Sequence, residues 1–136
     1  MQNKESKRAS ICQVYFMTIA ESTVTNIPGL PQIKVIGNWA KIDYSTVEFA
    51  EDKSSDGNSY EVNLSITFSD SSLEKMRELI AWLGIYILVR LDYTDGTSRV
   101  VGTDQFPVVL SLSGQGSPRS LIFSYKNQQP ELSKIL

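Results

Sequence analysis

The clearest pattern in the chain is a strict alternation of apolar and polar residues over positions 60–68. The apolar positions are Tyr60, Val62, Leu64, Ile66 and Phe68, and the polar positions between them are Glu61, Asn63, Ser65 and Thr67. Successive side chains of a strand point to opposite faces. The pattern therefore predicts a strand with one face on a core and the other face in water or against a polar partner.

An amphipathic helix is predicted directly after this strand, over about residues 71–83. Ser71 and Glu74 have the spacing of a capping box, and Gly84 is suited to the position just after a helix. Trp82 falls outside the apolar side of this helix, beside Lys75. The apolar side covers an arc of about 120° and consists of Leu73, Met76, Leu79, Ile80 and Leu83.

A β-hairpin is predicted after the helix. Residues 85–93 are apolar and rich in β-branched side chains, and the Asp95-Gly96 pair that follows favours a two-residue type I′ turn. That turn pairs Leu91 with Val100 on the inner face. It also pairs Asp92 with Arg99 on the outer face, as a cross-strand ion pair.

The other strand candidates are shorter or less regular, and they lie at residues 10–19, 33–36, 42–49, 106–112 and 120–125. The first of them carries apolar side chains on both faces, which indicates burial on both sides or cover by a neighbouring chain. The fold class predicted is a β-rich α+β protein, an antiparallel β-sandwich or open barrel of about eight strands. Its single α-helix, at about 71–83, lies between the fourth and fifth strands.

One domain is expected from the length of 136 residues. Residues 1–8 are predicted to be a flexible N-terminal arm, residues 9–129 a single β-rich domain, and residues 130–136 a C-terminal tail. A cleaved export signal at the start is less favoured than an N-terminal strand, because polar residues interrupt the apolar patch.

Charge and composition exclude several classes of function. The net charge of −2 gives no general attraction for nucleic acid, and no apolar run approaches the length of about 20 residues that spans a bilayer. The chain has no histidine, so zinc sites built from cysteine and histidine are excluded, and its one cysteine, Cys12, excludes internal disulfides. We expect a cytoplasmic protein without nucleic-acid or membrane partners.

Two motifs imitate catalytic or metal sites, and each has a simpler explanation. Ser72 and Lys75 match the Ser-x-x-Lys spacing of penicillin-recognising enzymes, but the other two motifs of those enzymes are missing and helix capping explains Ser72 better. A calcium loop is suggested by Asp52, Ser54, Asp56, Gly57 and Asn58. Its twelfth position would be Asn63, inside a strand, where an EF-hand needs a glutamate and a helix.

The remaining candidates are also explained by ordinary structure. No predicted helix follows Gly114-Gln115-Gly116, so a phosphate cradle is not supported. A catalytic pair of carboxylates could be sought among Asp92, Asp95 and Asp104. Roles in a turn and in a surface salt bridge explain these residues better. The sequence therefore assigns no catalytic, cofactor-binding or metal-ligating residue, predicts no cofactor, and indicates a protein that is not an enzyme.

Two features are candidates for contact with a partner. The basic residues Lys4, Lys7 and Arg8 fit a solvated arm better than a phosphate or membrane site, because Glu5 dilutes them and no aromatic residue stands among them. The aromatic residues Trp39 and Trp82 are candidate interface anchors. For both of them a place in the core or at its edge is the favoured interpretation.

A characteristic order of segments runs through the C-terminal two-thirds of the chain: residues 60–68, the helix ending in Leu79-Ile80, Tyr86-Ile87-Leu88-Val89, residues 92–97, Val100-Val101-Gly102-Thr103, and Phe106-Pro107-Val108. In these segments the chain resembles small structural proteins of phages and prophage-like elements of Bacteroides-type bacteria. The resemblance implies a non-enzymatic subunit of a virion tail or neck, of the kind that stacks into rings.

The leading hypothesis is therefore an assembly protein that associates with copies of itself and with other structural proteins of a particle. The alternative is a monomeric binding module for a small ligand, carbohydrate or peptide, which a closed apolar cavity of a few hundred cubic ångströms with converging polar groups would favour. A hydrolase without histidine has the least support, and a buried pair of carboxylates in one cleft would revive it.

Overall fold

The computed structural model describes residues 9–54, 57, 59–116 and 120–136. Most of them lie in strands, and one α-helix, α1 (Leu73–Ile80), is present among the described residues. The strands are β1 (Ile11–Thr18), β2 (Thr23–Asn26), β3 (Ile33–Ile36), β4 (Ala40–Ile42), β5 (Thr46–Lys53), β6 (Tyr60–Phe68), β7 (Ile87–Tyr93), β8 (Ser98–Val101), β9 (Ser111–Gln115), β10 (Ser120–Gln129) and β11 (Lys134–Ile135). No described helix is long and apolar enough to cross a bilayer.

These strands form three antiparallel sheets. A five-stranded sheet has the order β11-β8-β7-β1-β4, a four-stranded sheet has the order β5-β6-β10-β9, and β2 and β3 form a separate hairpin. The predicted β-rich fold with one helix is thus confirmed. The strands outnumber the eight predicted, so α1 lies between the sixth and seventh of them and not between the fourth and fifth.

One hydrophobic cluster joins the two larger sheets. At its centre the Phe123 ring of β10 lies 5.9 Å from the Phe16 ring of β1 and 5.5 Å from the Phe68 ring of β6, measured between ring centroids. All three side chains are fully buried. The alternation predicted for β6 is confirmed, because Val62, Leu64, Ile66 and Phe68 are all buried in this cluster.

A second, smaller cluster lies under the β2–β3 hairpin. Ile33 of β3 packs there with Leu88 of β7 and Val100 of β8, with Trp39 at its edge. The hairpin therefore covers apolar residues of the five-stranded sheet that do not belong to the main cluster.

A β-bulge between Ile11 and Gln13 shifts the register of β1, and Ile11 packs against the main cluster.

The helix begins two residues later and ends three residues earlier than the predicted range of about 71–83. Its N-cap is Ser72 and not Ser71, since the Ser72 hydroxyl accepts a hydrogen bond from the Lys75 amide at 3.3 Å. After Ile80 the chain continues in tighter turns, in which the Trp82 amide donates to the Leu79 carbonyl at 3.0 Å. Gly84, with a φ of 73°, follows those turns and not the helix itself.

The apolar side of the helix is less buried than the spacing predicted. Leu79 is fully buried, whereas Leu73 and Ile80 are 63% and 51% exposed. These two residues are the first and the last of a helix of eight residues. Seven positions apart, they lie about 20° from each other around the helix axis, at one margin of the apolar side, while Leu79, Met76 and Leu83 face the main cluster.

The predicted register of the β7–β8 hairpin is wrong by one residue. Leu91 lies opposite Arg99, and Asp92 lies opposite Ser98. A type I′ turn needs positive φ at both central positions, but only Gly96 has it, at 90°. The Asp95 carboxylate instead accepts from the Thr97 amide at 3.0 Å and the Thr97 hydroxyl at 2.6 Å, which lengthens the loop.

Three other strand predictions need correction. The candidate at 42–49 is two strands in different sheets, β4 and β5, because the chain crosses between the sheets at residues 43–45. The candidate at 106–112 becomes a strand only at Ser111, and Val108 before it makes an isolated bridge to Ile87. The short strand β2 was not predicted, nor was β11, which lies in the segment 130–136 and pairs with β8.

The loop after β8 is tightly packed around Gly102. A methyl group at Gly102 would lie 3.1 Å from a Val108 methyl carbon and 3.2 Å from the Phe106 carbonyl, and its φ is 91°. Gly96 has almost the same φ, 90°, and open space around it. Gly96→Ala should therefore cost about 1–2 kcal/mol of unfolding free energy from backbone strain alone. Gly102→Ala should cost about 1–3 kcal/mol more, because it also overpacks the loop. Urea unfolding measures both, and equal losses would contradict this packing.

Candidate functional site

A cavity of about 230 Å³ opens beside the last residues of the chain. We call it the C-terminal cavity. Its walls come from distant parts of the sequence: the end of β2, strands β5 and β6, the loop after β8, and the segment 129–134. The fold brings these segments together where β11 pairs with β8 at the edge of the five-stranded sheet.

Part of the cavity wall is apolar. Val62 and Val101 are buried members of the main cluster and line the cavity from the protein interior. Phe106 and Leu132 line it nearer the solvent, and they are 45% and 46% exposed. A ligand in this cavity would therefore contact hydrocarbon over part of its surface.

The polar attachment of the C-terminal segment defines one wall. The Glu51 carboxylate accepts two hydrogen bonds from Ser133, one from the amide at 2.6 Å and one from the hydroxyl at 2.8 Å. The Arg99 guanidinium donates to the Ser133 carbonyl at 3.0 Å. The amides of Ile135 and Leu136 donate to the carbonyls of Pro31 and Ser98. Backbone and carboxylate contacts thus hold this segment in place.

Lys134 is the buried cation of the site. Its side chain is 4% exposed, and its ammonium donates to the Ile27 carbonyl at 3.0 Å and pairs with Glu131 at 3.1 Å. The Glu131 carboxylate also accepts from the Gly29 amide at 2.6 Å. This amide, followed by Lys134, lowers the pKa of Glu131 below its ordinary value. The Lys134 charge is therefore already compensated.

Gln129 closes the inner end of the wall. It is buried, and its side-chain amide donates to the Tyr125 hydroxyl at 2.6 Å and to the Phe106 carbonyl at 3.3 Å. Burial raises the pKa of Tyr125 above 10.0, so this hydroxyl stays neutral at ordinary pH. Asn26 also lines the cavity, and its side-chain oxygen is buried and has no hydrogen-bond partner among the described residues.

The site does not have the geometry of a hydrolase. Two carboxylates, Glu51 and Glu131, line the cavity, but the Glu131 side chain is 32% exposed and paired with Lys134. The Ser133 hydroxyl points its proton at Glu51, yet the same carboxylate also binds the Ser133 amide, which is the arrangement of a structural clamp. In the described ranges no group of three Asp, Glu or Cys side chains is placed to hold a metal ion.

The Ser-x-x-Lys pair is not arranged for catalysis. Ser72 caps α1, and the Lys75 ammonium donates to the Asp43 carbonyl at 3.0 Å. The same ammonium lies 5.0 Å from the centre of the Phe68 ring. Capping is therefore the role of Ser72 in the structure, as the sequence favoured.

The carboxylates considered at the sequence level are not brought together as a pair. Asp92 accepts from Arg90 at 2.8 Å and from the Ser98 hydroxyl at 2.6 Å, so its partner is Arg90 and not the predicted Arg99. Asp95 belongs to the turn, and Asp104 is exposed in the loop after β8. Of the calcium-loop candidates, Asp56 and Asn58 lie outside the described residues, as do Lys4, Lys7 and Arg8.

The two tryptophans lie at the edges of the hydrophobic clusters. The Trp82 ring contacts Phe16 edge-on, with 5.3 Å between the centroids. Trp39 packs against the smaller cluster, and the Arg90 guanidinium lies 5.9 Å from its ring. Both were favoured as core-edge residues, and both are. Sequence reasoning missed Glu51, Gln129, Glu131 and Lys134, because no short motif joins residues that meet only through the fold.

Comparison with known protein families, with curated proteins and with solved structures found no match. The resemblance to phage and prophage structural proteins therefore stays a prediction. Functional inference has to begin from the C-terminal cavity and from the edges of the sheets.

Glu131 should make the stability of the protein depend on pH in the acid range. Its pKa is lowered in the folded state, so the stabilisation is complete above its ordinary value of 4.5 and is lost as the pH falls through the folded pKa. Glu131→Gln should therefore lower the melting temperature above that value, and the difference from the natural chain should shrink as the solution is acidified. Thr46→Ala, at an exposed position of β5, removes no titratable group; it is the control and should show a constant difference. Thermal melts over the acid range measure both, and a Glu131 difference independent of pH would contradict this role.

Proposed function

We propose that this chain is a non-enzymatic structural subunit that assembles with copies of itself. We further propose that the assembly belongs to the tail or neck of a phage or prophage-like particle. The observation that carries self-association is the outer edge of β9. The assignment to such a particle is based on the sequence resemblance. The proposed contacts with other proteins of the particle and the cytoplasmic site of assembly have the same basis.

The two edges of the four-stranded sheet differ in a way that favours assembly through β9. At one edge β5 carries Glu48, Glu51, Asp52 and Lys53, and charge of this kind protects an edge from pairing with another chain. At the other edge β9 reads Ser-Leu-Ser-Gly-Gln, without any charge. Its outer backbone groups have no strand beside them among the described residues. An uncharged free edge is a template for strand pairing.

One exposed apolar side chain lies close to this edge along the chain. Val109, two residues before β9, is 42% exposed. A single exposed apolar residue is ordinary. Near a free strand edge it adds apolar contact to backbone pairing, which supports the proposal.

The architecture that fits this function is a β-sandwich. The shared cluster of the two larger sheets supports stacking of one sheet on the other, and each sheet keeps two edge strands. A closed barrel has no edges. A two-fold pair would join β9 to β9, whereas rings need head-to-tail contacts.

The C-terminal cavity favours a second candidate function, a monomeric binding module for a small ligand. Its volume of about 230 Å³ and its mixture of apolar walls and polar groups support this candidate, and the cavity is partly open to solvent. The two candidates use different surfaces, so they can be tested separately. A carbohydrate or peptide is less favoured than a small molecule at this volume.

Substitution of the two sheet edges tests self-association. Ser113 of β9 and Thr46 of β5 lie on the same face and in the same cross-strand row, with Ile122 and Thr67 between them. In a centred two-fold pair of β9 strands the two Ser113 side chains would lie opposite each other. Ser113→Lys should then weaken association about fivefold, because opposed like charges cost about 1 kcal/mol. Thr46→Lys adds the same charge at the protected edge and should have little effect.

Sedimentation equilibrium over a range of protein concentrations measures these dissociation constants. The natural chain should associate at micromolar concentration. A natural chain that stays monomeric at high micromolar concentration would refute self-association. Equal weakening by the two lysines would show that association does not use β9.

A further inference from the structure

We propose that the C-terminal cavity binds an organic cation, a primary ammonium group on a short apolar stem. The inference deepens the second candidate function and does not involve β9, so its failure would leave the assembly proposal untouched. Three properties of the cavity carry it: the volume, the hydrocarbon walls, and a carboxylate without a cationic partner.

The volume selects a small group. Sites for drug-sized ligands run from about 300 to 1,000 Å³, and the C-terminal cavity holds about 230 Å³. That is space for a group the size of one long side chain or of a small free amine. Val62, Val101 and Leu132 give such a group an apolar surface for its stem.

The charges select a cation. Glu51 and Glu131 are negative, Lys134 is positive, and Lys134 is bound to Glu131 at 3.1 Å. Glu51 accepts only from the neutral amide and hydroxyl of Ser133, and no ion pair found among the described residues includes it. A half-buried carboxylate beside apolar walls gains more from a positive partner than one in water.

Arg99 is the described cation that could compete for Glu51. Its guanidinium is directed to the Ser133 carbonyl at 3.0 Å, and Arg99 does not line the cavity. An anionic ligand would be repelled by Glu51, and no unpaired cation lines the described part of the cavity to bind that ligand. A neutral ligand would leave the Glu51 charge uncompensated.

Unused acceptors in the wall suit the N–H donors of an ammonium group. A carboxylate offers about four lone-pair positions, and Ser133 occupies two of those on Glu51. An ammonium has three donors and no acceptor, so it matches this wall.

Titration of the full chain followed by two-dimensional amide NMR tests the proposal. The probes are n-butylammonium, the neutral n-butanol and the anion butyrate, which share the apolar stem. The ammonium should give saturable shifts at the amides of Val62, Val101 and Phe106, with binding at least about tenfold tighter than that of butanol. Butyrate should not bind. Equal binding of ammonium and butanol, or no saturable shift with ammonium, would overturn the proposal.

Variants separate the charge of Glu51 from its structural role. Glu51→Gln keeps an oxygen that can accept from the Ser133 amide but removes the charge, and it should reduce ammonium binding to the level of butanol. Glu48→Gln, three residues earlier on the same strand, should leave binding unchanged. Ser133→Ala keeps the charge and removes one hydrogen bond, so it should retain binding. If Ser133→Ala abolishes binding as fully as Glu51→Gln does, the charge does not select the ligand and the proposal fails.

A lysine side chain of a partner protein and a free amine share this chemistry. Nα-acetyl-lysine methylamide is the probe that distinguishes them. Binding tighter than that of n-butylammonium would identify a polypeptide lysine as the source, and weaker binding would identify a free amine.

Discussion

The structure depends on the contact that Phe123 makes with Phe16 and Phe68. These rings belong to strands of two different sheets, and they are the largest fully buried side chains of the protein. Without a shared cluster each sheet would expose an apolar face to water. Burial of that surface is the main force that favours folding. The edges, the loop after β8 and the C-terminal cavity are all positioned by the sheets that this contact joins.

Two kinds of interaction stabilise the protein: apolar packing between the two larger sheets, and polar contacts that attach the C-terminal segment. The main cluster is apolar and is formed by long strands with regular register. The segment that carries β11 is held by hydrogen bonds and one ion pair, and Leu132 and Leu136 are 46% and 40% exposed. In that ion pair Glu131 is 32% exposed, and a partly exposed pair contributes less stability than burial of a core. The wall of the cavity is therefore attached to the rest of the molecule by weaker contacts than those that join the two larger sheets.

Signals confined to a few residues predicted the β-rich class and the positions of its clearest elements. The alternation over residues 60–68 defined β6 to the residue, and the N-cap of the helix was placed within one position. The register of the β7–β8 hairpin could not be predicted, because it involves a hydrogen bond from the Thr97 amide to the Asp95 carboxylate. The Asp-Gly dipeptide alone does not predict that hydrogen bond. The break between β4 and β5 was also not predicted, because apolar residues lie on both sides of residues 43–45 and their pattern is typical of one continuous strand.

The candidate site could not be predicted at all. Glu51 and Ser133 are 82 positions apart, and Lys134 and Ile27 are 107 apart. No local spacing marks such residues. What the sequence did exclude, histidine-based catalysis and cysteine–histidine metal sites, followed from composition alone. The edges of the sheets were similarly invisible, because the charge of a strand becomes meaningful only when its position in the sheet is known.

Amide hydrogen exchange tests most directly whether one core joins the two larger sheets. The free energy of opening should be the same, within about 1 kcal/mol, for the slowest amides of β1 and β7 in one sheet and of β6 and β10 in the other. That result would show that both sheets open only when the whole protein unfolds. If one sheet exchanged through an opening that costs several kcal/mol less than the other, the two sheets would not depend on a common core, and the account would be wrong.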